Sequence, residues 1–582
     1  SDTYTIPVWD DEGVESTESV SGLAVIASST EDMSLLSASV GVGKTGFAAN
    51  LAPTVVTDVT YAFIQDTDVN GAASPGGDVI VRSHQGTDFD VLQIAGGAAI
   101  NSDALSAIGI AAGGMCVAHD TQAWISDTDP STITGDGRSQ IHAGGRLEVS
   151  SRTATTLISI LLGVSLSQQF AGAGTVNFIG LENTNRATMS EVDAFSAGDL
   201  TIAAVDYNEL FAVAGGGAAG KASAGGTFLV MTNENVTEAL LVNAATNAAG
   251  KTTVRADSNA SVGGIAAAGA LGLKGAFNAV ATIYVGRTET RAIIEGDTRQ
   301  AQVNQDSSYD ATGQAVEVHA ENSITSDVLA GGLAIAGAGV GGNLIWLDLQ
   351  NTVDAHIGSG AKVAAVGDIS VTADSLNDLF LGAGGLGLGA GIGLVGTFII
   401  ANIGSGIAST NIVDDIGDEL FDAINEAIES ATSTLGSSGS RSPSKAESTV
   451  NGIDVSVNQP GTIDRSVQDV AAYIGQFAEI VAGGELNVTA NETVIQTSLA
   501  GSVAAGTFAG VGGSISLLRV GTVTEAFIDD DAFINVTEDV NVKASASETV
   551  DADAVAGAGA LFYSLGAQYA EADIESSQLA SI

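Results

Sequence analysis

Three observations predict an all-β chain wound into an elongated repeat β-solenoid of the parallel β-helix kind. A motif returns through the whole sequence, residues alternate strictly in twos inside the returning unit, and the composition is rich in glycine and poor in charge. The motif is an Ala-x-Ile-like triplet with alanines at Ala62, Ala123, Ala187, Ala239, Ala292, Ala355, Ala472, Ala526 and Ala572, giving steps of 61, 64, 52, 53, 63, 117, 54 and 46 residues. Self-similarity at such a period marks stacked supersecondary units, here about nine repeats of roughly 54 residues. The 117-residue step reads as one repeat plus an insertion. Alternation is plainest where Leu386, Leu388, Ala390, Ile392 and Leu394 interleave with Gly385, Gly387, Gly389, Gly391 and Gly393. That is the period of a strand, so the uncharged run Leu379–Ile403 is not read as a membrane helix, although it is long enough to be one. Charged residues make up 15% and glycines number 74, which favours stacked strands over a helical bundle.

Residues 1–20 match the repeat poorly and read as a cap or the end of a preceding repeat. Repeats fill 21–401, and several open at a Gly-Asp or Gly-Glu corner: Gly77-Asp78, Gly198-Asp199, Gly367-Asp368 and Gly484-Glu485. Glycine is expected there to relieve backbone strain. Residues 402–464 form an insertion. Within Asn411–Thr432, Ile412, Ile416, Leu420, Ile424 and Ile428 recur every fourth residue, which predicts an amphipathic helix shielding an edge or face of the sheet. A polar, flexible linker follows it. Repeats resume over 465–582 and stop 8 residues after Ile574 (582 − 574), which reads as truncation. The absence of an initial Met and of a leader pattern reads as processing or as a piece cut from a longer chain.

Sixty-eight acidic residues against 19 basic ones give a formal net charge of −49. Such a surface excludes nucleic acid and anionic lipid as partners and attracts divalent cations; it also keeps an apolar repeat protein in solution. The single cysteine, Cys116, is expected in the core. Five histidines, His84, His119, His142, His319 and His356, fall in different repeats, and no nucleophile elbow or zinc-protease motif occurs. The chain is therefore not read as an enzyme. The alternative is a carbohydrate-active β-helix lyase or glycosidase, which would need several carboxylates on one sheet face.

Ala38–Thr45 fits a relaxed phosphate-loop pattern, but no helix period follows it. Gly337–Gly342 and Gly391–Gly396 fit G-x-G-x-x-G at equivalent phases of two repeats, which points to a shared structural need. Asp66-Thr-Asp68-Val-Asn70-Gly71 has alternate oxygen ligands and a sixth-position glycine, the opening of a calcium loop. Asp66, Asp68 and Asn70 are the candidate metal ligands, and calcium is the candidate ion. Asp127, Asp129 and Asp529–Asp531 occupy the same corner elsewhere. A plain solvated acidic turn is the competing reading. The middle residue of each triplet (Phe63, Trp124, Thr188, Leu240, Ile293, His356, Tyr473, Phe527, Asp573) is expected to form an outer stripe able to hold glycans or a partner chain, or to be buried under loops.

Asp368–Ala373, Ala330–Gly342 and Thr524–Ile528 spell GD-[IV]-x-V-x-A, a Gly/Ala alternation and T-x-A-x-I. This pattern resembles the repetitive regions of bacterial leukotoxin-family filamentous adhesins and related giant β-solenoid surface proteins. The resemblance covers most of 21–582 outside roughly 402–464 and implies secretion, an elongated β-solenoid and an adhesive or scaffolding role. The expected function is that of an extracellular or cell-surface fibre segment. Its expected partners are itself, end to end or laterally, or other surface proteins and glycans, and it is not expected to span a membrane. With two or three rungs per repeat at ~4.8 Å, the body would be on the order of 90–130 Å long.

Overall fold

The computed structural model describes residues 3–10, 13–99, 106–128, 138–296, 300–404 and 469–582. The helix expected over 411–432 and the linker after it lie outside the described residues. The described residues are all-β apart from one 3-10 turn (Ser307–Tyr309), built from long parallel sheets of stacked strands as in a β-solenoid. In chain order the strands are β1 (Tyr4–Trp9), β2 (Glu15–Val20), β3 (Gly22–Gly43), β4 (Thr45–Gln65), β5 (Asp78–Ala99), β6 (Ser106–Ser126), β7 (Ser139–Ala143), β8 (Leu147–Ser167), β9 (Phe170–Ser190), β10 (Val192–Ser196), β11 (Leu200–Val242), β12 (Ala245–Ala248) and β13 (Thr252–Glu295). They continue with β14 (Gln302–Val303), β15 (Val316–Ile357), β16 (Lys362–Ala365), β17 (Ile369–Ile403), β18 (Val470–Ile474), β19 (Glu479–Ala482), β20 (Leu486–Gly506), β21 (Ala509–Val520), β22 (Val523–Ile528), β23 (Phe533–Val536), β24 (Val540–Ala560), β25 (Tyr563–Ile574) and β26 (Ser577–Ser581).

Each turn runs out along one long limb, folds back and returns along a second, then crosses a corner through a short strand. The outgoing limbs pair in parallel in the order β3, β5, β8, β11, β13, β15, β17, β20, β24. The returning limbs form a second parallel sheet from β4, β6 and β9 to β25 and β26. In β11, β13, β15 and β17 one element supplies both limbs. The short strands make a third sheet in the order β23-β19-β16-β14-β12-β10-β7. A 21-residue limb such as β8 is ~70 Å long at ~3.3 Å per residue.

The register decides what a repeat is. Ala62 stands opposite Ala123, Ala123 opposite Ala187, Ala187 opposite Ala239, and so on through Ala292, Ala355, Ala472 and Ala526. One repeat is therefore one broad turn, not two or three rungs. The stack advances ~4.8 Å per repeat, so its axial length is far below the expected 90–130 Å and the long dimension lies along the strands. The alanine that follows Ala526 in register is Ala580; Ala572 pairs with Leu518 on another part of the limb. Ala355 pairs directly with Ala472, so the extra residues of the long step interrupt the returning limb of one turn, between Ile403 and Val470.

Two apolar blocks fill the space between the sheets. Near the corner, where three sheets meet, Ile125, Met189, Leu241, Ile294, Ile357 and Ile474 pack against Val81, Val149 and their stacked equivalents. Midway along the limbs, Phe89, Met115, Leu157, Ile179, Tyr284 and Ile345 form the second block. Between the blocks runs a seam of buried polar side chains. Thr60 donates to Gln85 (2.7 Å), Asn183 to Asp206 (3.0 Å), and Asn351 to Asn377 (2.6 Å). Thr524 donates to Glu492 (2.7 Å). Beyond the second block the sheets pinch together. A Cβ on Gly389 would stand 1.8 Å from the Ile392 carbonyl oxygen, and one on Gly393 would stand 2.3 Å from that of Ala505. The alternate glycines thus face inward, where two backbones approach too closely for side chains. Gly339 pairs with Gly393 and Gly342 with Gly396, so both G-x-G-x-x-G runs sit at one structural position.

The Gly-Asp corners have a different cause from the expected backbone strain, since Gly198, Gly367 and Gly484 do not have positive φ. The aspartate of one turn caps the next: Asp78 Oδ1 accepts from Arg146 N–H (3.0 Å), Asp199 Oδ1 from Lys251 N–H (2.8 Å) and Asp368 Oδ1 from Glu485 N–H (2.8 Å). The glycine of the following turn clears room for that carboxylate. A Cβ on Gly145, Gly250 or Gly484 would come within 2.0–2.1 Å of the capping oxygen.

β1 and β2 pair antiparallel as a hairpin. It lies on the outer face of the outgoing sheet, with Ile6 and Val20 against Ile80 and Trp9 stacked on His84 at 4.2 Å. Cys116 is exposed rather than in the core, because its register opposite Val55 and Gly180 puts it on the outward row of the returning sheet.

Candidate functional site

The calcium-loop residues lie at the corner after β4, and each reaches a different point of the next turn. Asp66 takes φ 52° and Asn70 φ 58°, a left-handed conformation that Asp and Asn tolerate best after glycine. Glu191 (φ 56°) and Asn243 (φ 52°) hold the equivalent place after their triplets, so corner geometry by itself selects such residues. Asp66 Oδ1 accepts from Thr128 N–H (2.7 Å), and these hydrogen bonds hold its carboxyl below the usual range. Asp68 Oδ1 accepts from Gln140 N–H (2.8 Å). Asn70 Nδ2 donates to the carbonyls of Pro75 (2.9 Å) and His142 (2.8 Å). The three side chains therefore stitch turn to turn. Asp127, behind them, is buried and accepts from Ser139 N–H (2.8 Å).

A second cluster lies on the outer face of the outgoing sheet. Asp257, Glu321 and Asp374 are stacked neighbours on β13, β15 and β17, with Asn491 next in the row. His319 stands two residues before Glu321. Its Nε2 is 3.3 Å from Glu321 Oε2, and its Nδ1 is 4.0 Å from Asp374 Oδ2. One ligand atom each from Asp257, His319 and Glu321 fits within 4.8 Å, close enough for one ion. Like charges directly opposite in a ladder repel, and the row answers with cations: Arg255 pairs with Asp257. Burial pushes Asp257 up to about 6 despite Arg255. Burial works against the charged form of His319, yet Glu321, Asp257 and Asp374 outweigh it and raise its pKa. The set can hold a proton on His319 or exchange it for a divalent cation. Sequence reading missed it because its members come from three repeats; the signal was three acids at one repeat phase.

The Arg82 side of the hairpin is an ion-pair knot rather than a reaction centre. Arg82 pairs with Glu148 (2.6 Å) and with Glu18 of β2 (2.7 Å), and Arg146 also reaches Glu18 (2.6 Å). Burial dominates at His84 and His119 and pushes both down to about 4, so both are neutral at pH 7. In the phosphate-loop-like run Ala38–Thr45, Lys44 stands at the fold-back between β3 and β4, with a strand where a helix would be needed.

The middle residues of the triplets do form one outward row, Phe63–Trp124–Thr188–Leu240–Ile293–His356–Tyr473–Phe527, ending at Ser581 rather than Asp573. Its rings stack: Phe63 on Trp124 (4.6 Å), His356 on Tyr473 (4.4 Å) and Tyr473 on Phe527 (4.8 Å). Phe63 is exposed, whereas Ile293 and His356 are buried. The row therefore glues turns together over part of its length and meets solvent near β4.

The chain matches no protein-family model, no curated protein and no solved structure.

Proposed function

We propose that this chain is a segment of an extracellular structural or adhesive fibre on a bacterial surface, a scaffold of about nine turns rather than an enzyme. One observation carries the reading: the same residue of each repeat is laid on its counterpart in the next, alanine on alanine, in a ladder that can propagate without limit. The outermost described strands, β3 with β4 and β24 with β25, offer edges that accept a further turn from the same polypeptide or from a second copy. The acidic surface keeps such a stack from indiscriminate clumping. Calcium at the Asp66–Asn70 corner, and a divalent cation in the Asp257–His319–Glu321 row, would neutralise stacked carboxylates and tighten turn-to-turn contacts.

The test is imaging of the purified protein by negative-stain electron microscopy, with and without calcium, beside thermal melts. Rods or fibres, a melting temperature raised by calcium and a smaller rise in Asp68→Ala are expected, since a ligand bound only to the folded state stabilises it. Isolated compact particles at every concentration would defeat the fibre reading, and a melt indifferent to calcium would remove the ion from the corner.

A further inference from the structure

Charge is sorted along the limbs of the returning sheet. Toward the corner, its outward positions carry a majority of acids, among them Asp120, Glu182, Glu234, Glu238 and Glu289, with Arg186, Arg287 and Arg291 between them. Toward the fold-back, the stretches 45–56, 106–117, 170–181, 222–233, 275–286 and 338–347 contain no charged residue at all. At the fold-back itself stand Lys44, Lys221 and Lys274, all exposed, none with an ion-pair partner among the described residues.

In this uncharged half the inward side mixes apolar and polar residues, while the outward side is apolar. Asn177 and Thr175 point inward, are buried, and hydrogen-bond to the carbonyls of Val213 (3.1 Å) and Gly215 (2.5 Å). The large apolar side chains point out: Phe47, Leu51, Val176, Phe228 and Phe277 are between 39% and 75% exposed. A sheet that faces water on its outer side normally carries polar residues there. Twelve residues on each of β4, β6, β9, β11 and β13 and ten on β15 make a face of ~1,100 Å² at ~3.3 Å by ~4.8 Å spacing. A stable interface needs about 800 Å² per partner.

We propose that this face is covered by the same face of a second copy of the chain, related by a two-fold axis parallel to the stacking direction. That operator runs the limbs antiparallel, so the basic fold-back of each copy meets the net-acidic corner end of the other. Lys221 and Glu234 are 13 residues apart on one limb (234 − 221), so an overlap of that length brings Lys221 of each copy beside Glu234 of its mate; it also sets Lys274 beside Arg287, which Glu234 and Glu289 flank, so the two ends match in net charge rather than pair by pair. The opposite choice, fold-back on fold-back, would align lysines with lysines and acids with acids. A bilayer is a poorer cover: among the described residues β3 and β4 each have a sheet neighbour on one side only, and backbone groups left unpaired in hydrocarbon are strongly disfavoured. The proposal rests on the fibre reading and names its lateral contact.

Sedimentation equilibrium of the whole chain is the test, with circular dichroism and melting as controls for folding. The wild type should dimerise at micromolar concentration. Phe277→Glu and Phe228→Glu should each weaken the dimer at least ~100-fold, as loss of a central aromatic anchor does, with unchanged circular dichroism and a cooperative melt. Lys221→Glu should weaken it most at low salt, and adding Glu234→Lys should restore it. A monomeric wild type, a dimer indifferent to both phenylalanine changes, or a Lys221→Glu defect that Glu234→Lys does not repair overturns the proposal. So does co-sedimentation with neutral phosphatidylcholine vesicles abolished by Phe277→Glu. End-to-end filaments without lateral pairs would overturn it too, while leaving the fibre reading standing.

Discussion

Asp206 shows how a single side chain ties this fold to pH. It is fully buried in the polar seam and accepts from Asn183 (3.0 Å) and Asn208 (2.6 Å). Burial nevertheless pushes its carboxyl up to about 7 from an ordinary 3.8. Because the folded value is raised, the stability tied to this group is intact below the unfolded pKa. It is lost as pH rises from about 4 through about 7, at roughly 1.4 kcal/mol per pH unit. Asp206→Asn should flatten the melting temperature over that window relative to wild type and raise it at pH 8; parallel pH profiles for the two proteins would contradict this. Glu492, also near 7 by burial, should add a second component. The inward glycines act sterically. Gly389→Val places a side chain on the opposing backbone and should prevent the fold-back of β17 from closing, whereas Gly384→Val has open space and should fold. Equal stability of the two variants by denaturant titration would refute the pinched-interior assignment.

At the scale of elements, the β1–β2 hairpin is the part that does not continue the ladder. Its attachment is a small apolar contact plus the Trp9–His84 stack and the Glu18 ion pairs. Trp9→Ala removes a buried ring, a change worth about 3–5 kcal/mol in a core. Because the hairpin pairs only with itself, the loss should stay local. Hydrogen exchange should speed up across Tyr4–Val20 while β8 and β11 keep their protection; acceleration throughout the stack would show that the hairpin is a true end cap.

For the whole molecule, stability is a sum over neighbouring turns, since a limb touches the limbs before and after it in its own sheet and, across the apolar blocks, limbs of its own and adjacent turns. Oriented preparations should therefore diffract at ~4.8 Å along the stacking axis and at ~10 Å across it. A ~4.8 Å reflection perpendicular to the long axis of assembled fibres would mean that they elongate along the strands and not by adding turns.

The sequence by itself determined the class of fold, the unit and its phase. Strict alternation makes a strand wherever it occurs, and the returning Ala-x-Ile triplet fixes which residues must be stacked, because a one-residue slip would turn every inward side chain outward. It also located the acidic corner of Asp66, Asp68 and Asn70 and the outward row from Phe63 to Phe527. Only the tertiary structure decided how many turns a repeat makes, since local periodicity is the same whether a limb runs seven residues or twenty-one. The same holds for Ala580 over Ala572, where two alanines of similar context differ only in what they face. The Asp257–His319–Glu321 row and the capping of each turn by the aspartate of the last were likewise hidden. Their partners are 52 to 117 residues apart and meet only because the register between turns brings them side by side.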